Sequence, residues 1–564
     1  MTACASLTRS ALRLVGLGGF AAGLLLTSAA SAQDGPPPAP APAAEAAPEE
    51  TASAPAPRAR ARTQVTPYLE VDQVLSADFN GGDVLTYTSV AAGVDGRVVT
   101  RRVTAQVNYR YDRRIAWQGD IPDSDAHSGA AQLGVTLVPN LLNFDAGALV
   151  TRVGEQGRGS AVTDRDLTSQ LYSFYAGPSI AARFGRLAVN ASYQFGYAAV
   201  DDGGDNLLAR RRNRYDSSTA HIANASVGMA PGGGAPLGWT LGAGYVREDG
   251  SDPLDSVFEG TFVRGDVVVP LTPTLAVTAG VGYERIESSQ DDIARNSNGN
   301  PIVLPNGDVV PDPSRPRVLA YETDGLIYDA GIIWRPTSRT ELQARAGHRY
   351  GGTTFVGSFS HRFNGGYGMN LSVFDTVETF GRSMISNLNN LPDNFNVNRN
   401  PLSNSLGGCV FGTDAGSGVC FDPLLSAITN STFRSRGASL VFSGSRGPWD
   451  WGLGATYTHH RYFRPTTLTA LDPSNDRVFS VNGNLGRSLS RTSSIDLNAY
   501  ANWYDSDLAG EDPLFGSGIG LGYQRSFLLD RMQLRAALGL DHSSGRGEES
   551  TGASGLVGLR YSFE

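Results

Sequence analysis

Cys409 and Cys420 are the residues with the clearest covalent chemistry. The chain has 564 residues and three cysteines, and Cys4 lies ahead of the N-terminal apolar stretch. Two thiols flanking a Gly-rich stretch in an oxidising compartment form a disulfide by default, worth roughly 2–3 kcal/mol to the order of the loop they close. No His lies near them in sequence, which disfavours a metal site or a reactive thiol. The seven His residues form no cluster. His348 and His361 fall on strands of one hairpin roughly 20 Å apart, and the neighbours His459 and His460 point to opposite faces of a strand. No local motif joins a nucleophile to a His and a carboxylate, so neither catalysis nor a cofactor or metal is expected. Arg210, Arg211, Arg212 and Arg214 form a basic run in a polar connection. Guanidinium groups suit an anionic glycan or the phosphates of lipopolysaccharide, while Asp201, Asp202 and Asp205 also allow a plain solvated loop; both readings stay open. The oxygen-rich stretches 393–400 and 296–308 lack the spacing of a calcium loop and read as turns.

The elements that must carry these residues are strands. From Thr340, the residues Thr340, Leu342, Ala344 and Ala346 alternate with Glu341, Gln343, Arg345 and Gly347, a period of two with one apolar and one polar face. Gly351-Gly352 turns the chain, and the return strand sets Phe355, Gly357, Phe359 and Phe363 against Thr354, Val356, Ser358, Ser360 and Arg362. Val103 to Tyr111, Leu187 to Tyr197, Leu275 to Tyr283 and Ile495 to Trp503 repeat the pattern. Short turns, among them Asp95-Gly96, Pro139-Asn140, Gly185-Arg186 and Pro336 to Arg339, alternate with long connections at 153–169, 201–216, 288–322 and 380–432. No stretch after residue 33 approaches the 18 or more apolar residues of a spanning helix. A sheet crosses a bilayer only when closed, because hydrocarbon leaves no partner for an open edge. The fold expected is all-β: one closed antiparallel transmembrane barrel of about 22 strands, 18 to 24 within the uncertainty of strand boundaries, with short periplasmic turns and long outer loops.

Residues 1–32 read as a signal peptide, with Arg9 and Arg13 ahead of the apolar Leu14 to Leu26 and the small residues Ala30-Ser31-Ala32 at the cleavage site. Residues 33–64 are a Pro/Ala-rich periplasmic linker too poor in bulky apolar residues to fold alone, and 65–564 are the barrel. This placement is the outer membrane of a Gram-negative bacterium, with its lipid and lipopolysaccharide as surroundings. The chain ends with Val557, Leu559, Tyr561 and Phe563 on one face, and Tyr561 and Phe563 resemble the terminal signal read by the barrel assembly machinery, although Glu564 follows. The net charge of −9 argues against a nucleic-acid partner. A TonB-dependent transporter would carry a plug domain before its first strand, and on that ground this class is set aside.

The segment WRPTSRTELQARAGHRYGGTTFVGSFSHRF, Trp334 to Phe363, resembles a motif of outer-membrane barrels associated with exosortase, PEP-CTERM and extracellular-polysaccharide loci. The matching residues are Pro336, Arg339, Thr340, Gly347 to Gly351 and Ser360 to Arg362. The resemblance implies a role in export or organisation of a surface polymer, with extracellular polysaccharide as a partner, and supplies no catalytic residue. The expected function is a passive channel or export conduit, its water lined by Glu341, Gln343, Arg345, Arg349 and Arg362 and narrowed by the loops 288–322 and 380–432. The alternative is a structural or surface-binding barrel with a closed lumen and glycan- or partner-binding outer loops.

Overall fold

A computed structural model describes residues 62–563 except 81–83, 119–123, 155–167, 202–214, 233–235, 252, 305–308, 397–401, 403–407, 422–427, 466–473, 508–511 and 546–547. The leader 1–32, the linker as far as residue 61 and the run Arg210, Arg211, Arg212 and Arg214 lie outside the described residues.

Twenty-two antiparallel strands form one closed barrel. The first strand, Arg62–Asp78, pairs with Val84–Val99 on one side and with the last strand, Glu548–Ser562, on the other. Alternation along this strand decides which face meets the lipid. Leu69, Val71 and Leu75 are each about half exposed, while Tyr68, Glu70, Asp72 and Val74 are buried inside. A closed sheet that turns apolar side chains outward and polar ones inward has the arrangement of an outer-membrane barrel. The protein is therefore an outer-membrane protein. No helix among the described residues is long and apolar enough to cross a membrane.

Ten connections on the end that holds both described termini are short, such as 139–141, 185–186, 273–274, 338–339 and 447–448. The long connections 291–317 and 379–432 leave the strands at the opposite end. Two turns differ from the sequence expectation. Asp95-Gly96 is mid-strand: Gly96 faces Val65 and Val107, and Asp95 accepts hydrogen bonds from Asn108 and Arg560. The chain turns instead at Thr100–Arg102, where the Thr100 Oγ1 accepts from the Val103 amide at 2.9 Å. The central hairpin turns at Tyr350-Gly351, both at positive φ, one residue earlier than expected, so His348 faces Thr353 and Phe355 faces Ala346. A one-residue shift of the turn moves the register by two and keeps every side chain on its face.

The inner wall is cross-linked by charge. Arg110 bonds both Glu70 and Asp72, and Arg535 reaches the same Glu70 from across the barrel closure. On the strands 257–349, Arg264 and Arg345 share Asp266 and Asp329 at 2.6–3.1 Å. Arg349 Nε donates to Glu284 at 2.7 Å, and the Tyr350 amide donates to the same carboxylate.

Candidate functional site in the barrel lumen

The connection between the strands Tyr367–Glu378 and Phe433–Arg446 does not stay outside; it folds into the barrel. It opens with a helix, α1 (Phe380–Asn389). Thr379 caps it by accepting from the Arg382 amide, and Phe380, Met384, Ile385 and Leu388 recur on one face. All four are fully buried, packed on Leu149, Leu171, Tyr175, Ala198 and Ile222 of the inner wall. An apolar patch inside a polar lumen is the wall's half of this contact. Gly196 makes room for Ile385, since a Cβ at Gly196 would lie 2.1 Å from Ile385 Cδ1.

Beyond α1 the segment is tied on by backbone. Gln132 Nε2 donates to the Leu391 carbonyl at 2.8 Å, and the Gln106 amide group exchanges two hydrogen bonds with the Phe395 backbone. Leu402 reaches the seam of the barrel, where it packs against Val74, Tyr87, Ala537 and Leu556. A hairpin of Cys409–Gly412 and Gly418–Cys420 follows, closed by the Cys409–Cys420 disulfide. It seats on two wall glycines: a Cβ at Gly454 would lie 2.2 Å from Cys409 Sγ, and one at Gly452 would lie 2.5 Å from Phe411. Gly416 N donates to the Ser443 carbonyl at 3.1 Å. The segment thus touches the wall under α1, at the seam and under the disulfide, and so runs from one side of the lumen to another.

Both roots of the segment are held at the outer end. Thr379 Oγ1 donates to the carboxylate of Glu248, which is 4% exposed, and Ser288 and Thr432 share a hydroxyl hydrogen bond of 2.7 Å. Arg382 donates to the Val377 carbonyl and stacks 4.2 Å over the Phe258 ring.

No family model matches the chain, and no curated protein does. Among solved structures it is similar to the FrpB iron transporter from Neisseria meningitidis, F3-3 variant, at 10% identity and a TM-score of 0.42, covering 88% of this chain and 81% of that one. It is similar also to the ferric-catecholate import receptor Fiu from E. coli, at 8% identity and 0.43 over 88% and 81%. The siderophore receptor PiuA from Acinetobacter baumannii follows at 11% and 0.41 over 88% and 82%.

Three expectations are corrected on these findings. The similar structures are iron and siderophore receptors, not barrels of exosortase, PEP-CTERM or polysaccharide loci. The passive channel or export conduit falls with that resemblance, and the closed structural barrel gains nothing in its place. Extracellular polysaccharide falls as the partner. Within this chain, a segment that enters from between two strands occupies the lumen in which an open channel was expected.

The residues named from sequence are not gathered at one point. Arg345 and Arg349 join the charged networks of the inner wall, and Glu341 pairs with Arg335 at 2.9 Å and accepts from Gln343. Arg362 follows on the inward-facing side of its strand near the short-turn end, where it is exposed. Tyr561 and Phe563 meet edge to face at 5.0 Å beside the barrel closure, and the Phe563 amide donates to the Pro67 carbonyl. Asn296 Oδ1 accepts from the amides of Asn298 and Asn300, as a turn requires. Sequence reasoning missed α1 and Glu248. The four-residue rhythm of Phe380, Met384 and Leu388 behind a capping Thr379 was the available signal for the helix; a lone Glu in a strand gave none.

Proposed function

We propose that the protein is a gated transporter of the outer membrane, occluded at rest by the 379–432 segment. The observation that carries this reading is the fit of that segment: α1 on an apolar patch, Leu402 at the barrel seam and the disulfide hairpin on Gly452 and Gly454. A loop that merely narrows a pore needs one wall, whereas this one is seated on several. Transport then requires the segment to shift, and the charged wall that includes Arg345 and Arg349, with Glu341 and Gln343 below, would line the opened path. Glu248 and the Ser288–Thr432 pair hold the roots, so motion starts in the interior of the segment rather than at its ends.

Cells provide the test. E. coli expressing the wild-type protein should stay resistant to vancomycin, which is too large for its own porins. Cells expressing a variant with 383–428 replaced by a short Gly/Ser linker should become sensitive, with equal amounts of folded barrel in the membrane. Equal resistance of the two strains would remove the occlusion reading. Ferric siderophores, which the similar receptors are named for, are the first cargo to assay.

A further inference from the structure

On the outward face of the strands Trp449–Tyr462, Asn475–Ser488, Ser493–Ser506 and Leu514–Phe527, the side chains Tyr457, Phe479, Trp503 and Phe515 lie next to one another across the register, each 40–53% exposed. Tyr457 is eight residues from the exposed Trp449 at the short-turn end. For a tilted strand that is a height of roughly 20 Å, close to the apolar band of about 25 Å. The row therefore marks the outer interface of the bilayer, where aromatic side chains gather. Two residues further out, the same face presents Arg436, His459 and Arg477 in line, with Asp375 at one end and Asp505 at the other. Arg434 and Arg461 face each other in the row beyond. Asp375 is already shared, by Arg434 at 2.7 Å and Arg436 at 3.1 Å. Arg461 and Arg477 are exposed, and neither has an ion pair among the described residues. The rim is not basic all round. Beyond the exposed row of Val263, Tyr283 and Leu326, Arg285 faces Asp324, and Arg247, Glu259, Glu287 and Glu322 follow in line, so carboxylates outnumber arginines there.

We propose that the face bearing Arg436, Arg461 and Arg477 binds the phosphates of lipid A, the membrane anchor of lipopolysaccharide in the outer leaflet. A guanidinium meets phosphate oxygens through two parallel hydrogen bonds, and such charge-assisted bonds are the strong ones. Arg461 and Arg477 stand at headgroup level without a protein carboxylate, and a lipid phosphate supplies the countercharge. The aromatic row directly beneath offers its surface to acyl chains, so the ligand is a phosphorylated lipid rather than a soluble anion. Lipid A carries a phosphate at each end of a disaccharide, and the row from Arg436 to Arg477 crosses three adjacent strands, roughly 10 Å. A glycerophospholipid has one phosphate to set against that row. The site stands whether or not the 379–432 segment moves, because it lies on the other side of the wall.

The test is native mass spectrometry of the barrel, refolded in detergent free of lipopolysaccharide and titrated with bis-phosphorylated lipid A, with the same lipid stripped of its phosphates, or with phosphatidylglycerol. Bis-phosphorylated lipid A should bind about tenfold more tightly than either of the others. Arg461→Gln combined with Arg477→Gln should remove about that factor, whereas Arg247→Gln combined with Arg285→Gln, on the acidic side of the rim, should leave lipid A binding unchanged. Heat-modifiable gel mobility, the sign of a folded barrel, should be the same in all. If the first pair fails to fold, Arg477→Gln alone decides. The proposal is overturned by equal binding of the dephosphorylated lipid, by equal binding of phosphatidylglycerol, which would mean a generic anionic surface, or by wild-type affinity in the Arg461→Gln, Arg477→Gln variant.

Discussion

Arg110 sits between Glu70 and Asp72 with its side chain 3% exposed, and both carboxylates are as buried as it is. Truncating one member of such a group leaves buried charge without its counterion, a loss of about 3–5 kcal/mol. Arg110→Ala should therefore lower the unfolding free energy of the refolded barrel, read from urea titration, by about that amount, whereas Arg113→Ala should change it little, since the Arg113–Asp125 pair is nearly half exposed. Asp507, just past the strand Ser493–Ser506, gives a pH signature. Burial pushes its carboxyl up, but hydrogen bonds from the side chains and amides of Ser474 and Asn475 outweigh that and hold it at about 2. A depressed carboxyl contributes stability that is complete above its unfolded pKa, about 3.9, and lost as pH falls through the folded value. Exchange of the Ser474 and Asn475 amides, corrected for intrinsic rates, should be constant from pH 7 to 5 and accelerate from pH 4 to 2. Constant protection down to pH 2 would show that Asp507 does not hold this junction. At this scale little was legible: alternation places Arg345 on a polar face, but nothing in its neighbours names Asp266 and Asp329, which come from two other strands.

The element scale was read best where the period is two. The 340–362 hairpin and most short turns follow from alternation and from Pro, Gly and Asn. Asp95-Gly96 misled because an Asp-Gly step usually marks a turn, and here Asp95 serves as an acceptor for Asn108 and Arg560 within the ladder. The 380–432 connection was legible as a loop that narrows the lumen, but its helix and its seats on the wall were not. Its helix pairs with an apolar patch assembled from Leu149, Leu171, Ala198 and Ile222, each on a different strand. Leu388→Ala should cost α1 about 2–5 kcal/mol of docking, measured as faster exchange of the helix amides with the barrel strands unaffected. Uniform loosening of helix and strands together would show that α1 is no separate unit. Gly454→Ala should unseat the hairpin, because the added methyl would meet both sulfurs of the disulfide. The expected readout is faster reduction of Cys409–Cys420 by dithiothreitol in the variant than in the wild type.

At the scale of the whole molecule, closure of twenty-two strands was foreseeable because a bilayer permits nothing else for such a sequence. Where the in-folded segment seats was not, since lumen contacts join residues more than 150 positions apart, as Leu402 does with Val74 and Leu556. Occlusion by the in-folded segment is the central claim, and single-channel recording in a planar bilayer tests it most directly. The purified wild-type barrel should be silent, and the same barrel with 383–428 replaced by a Gly/Ser linker should show large, steady conductance. A wild-type conductance equal to that of the shortened barrel would contradict the account.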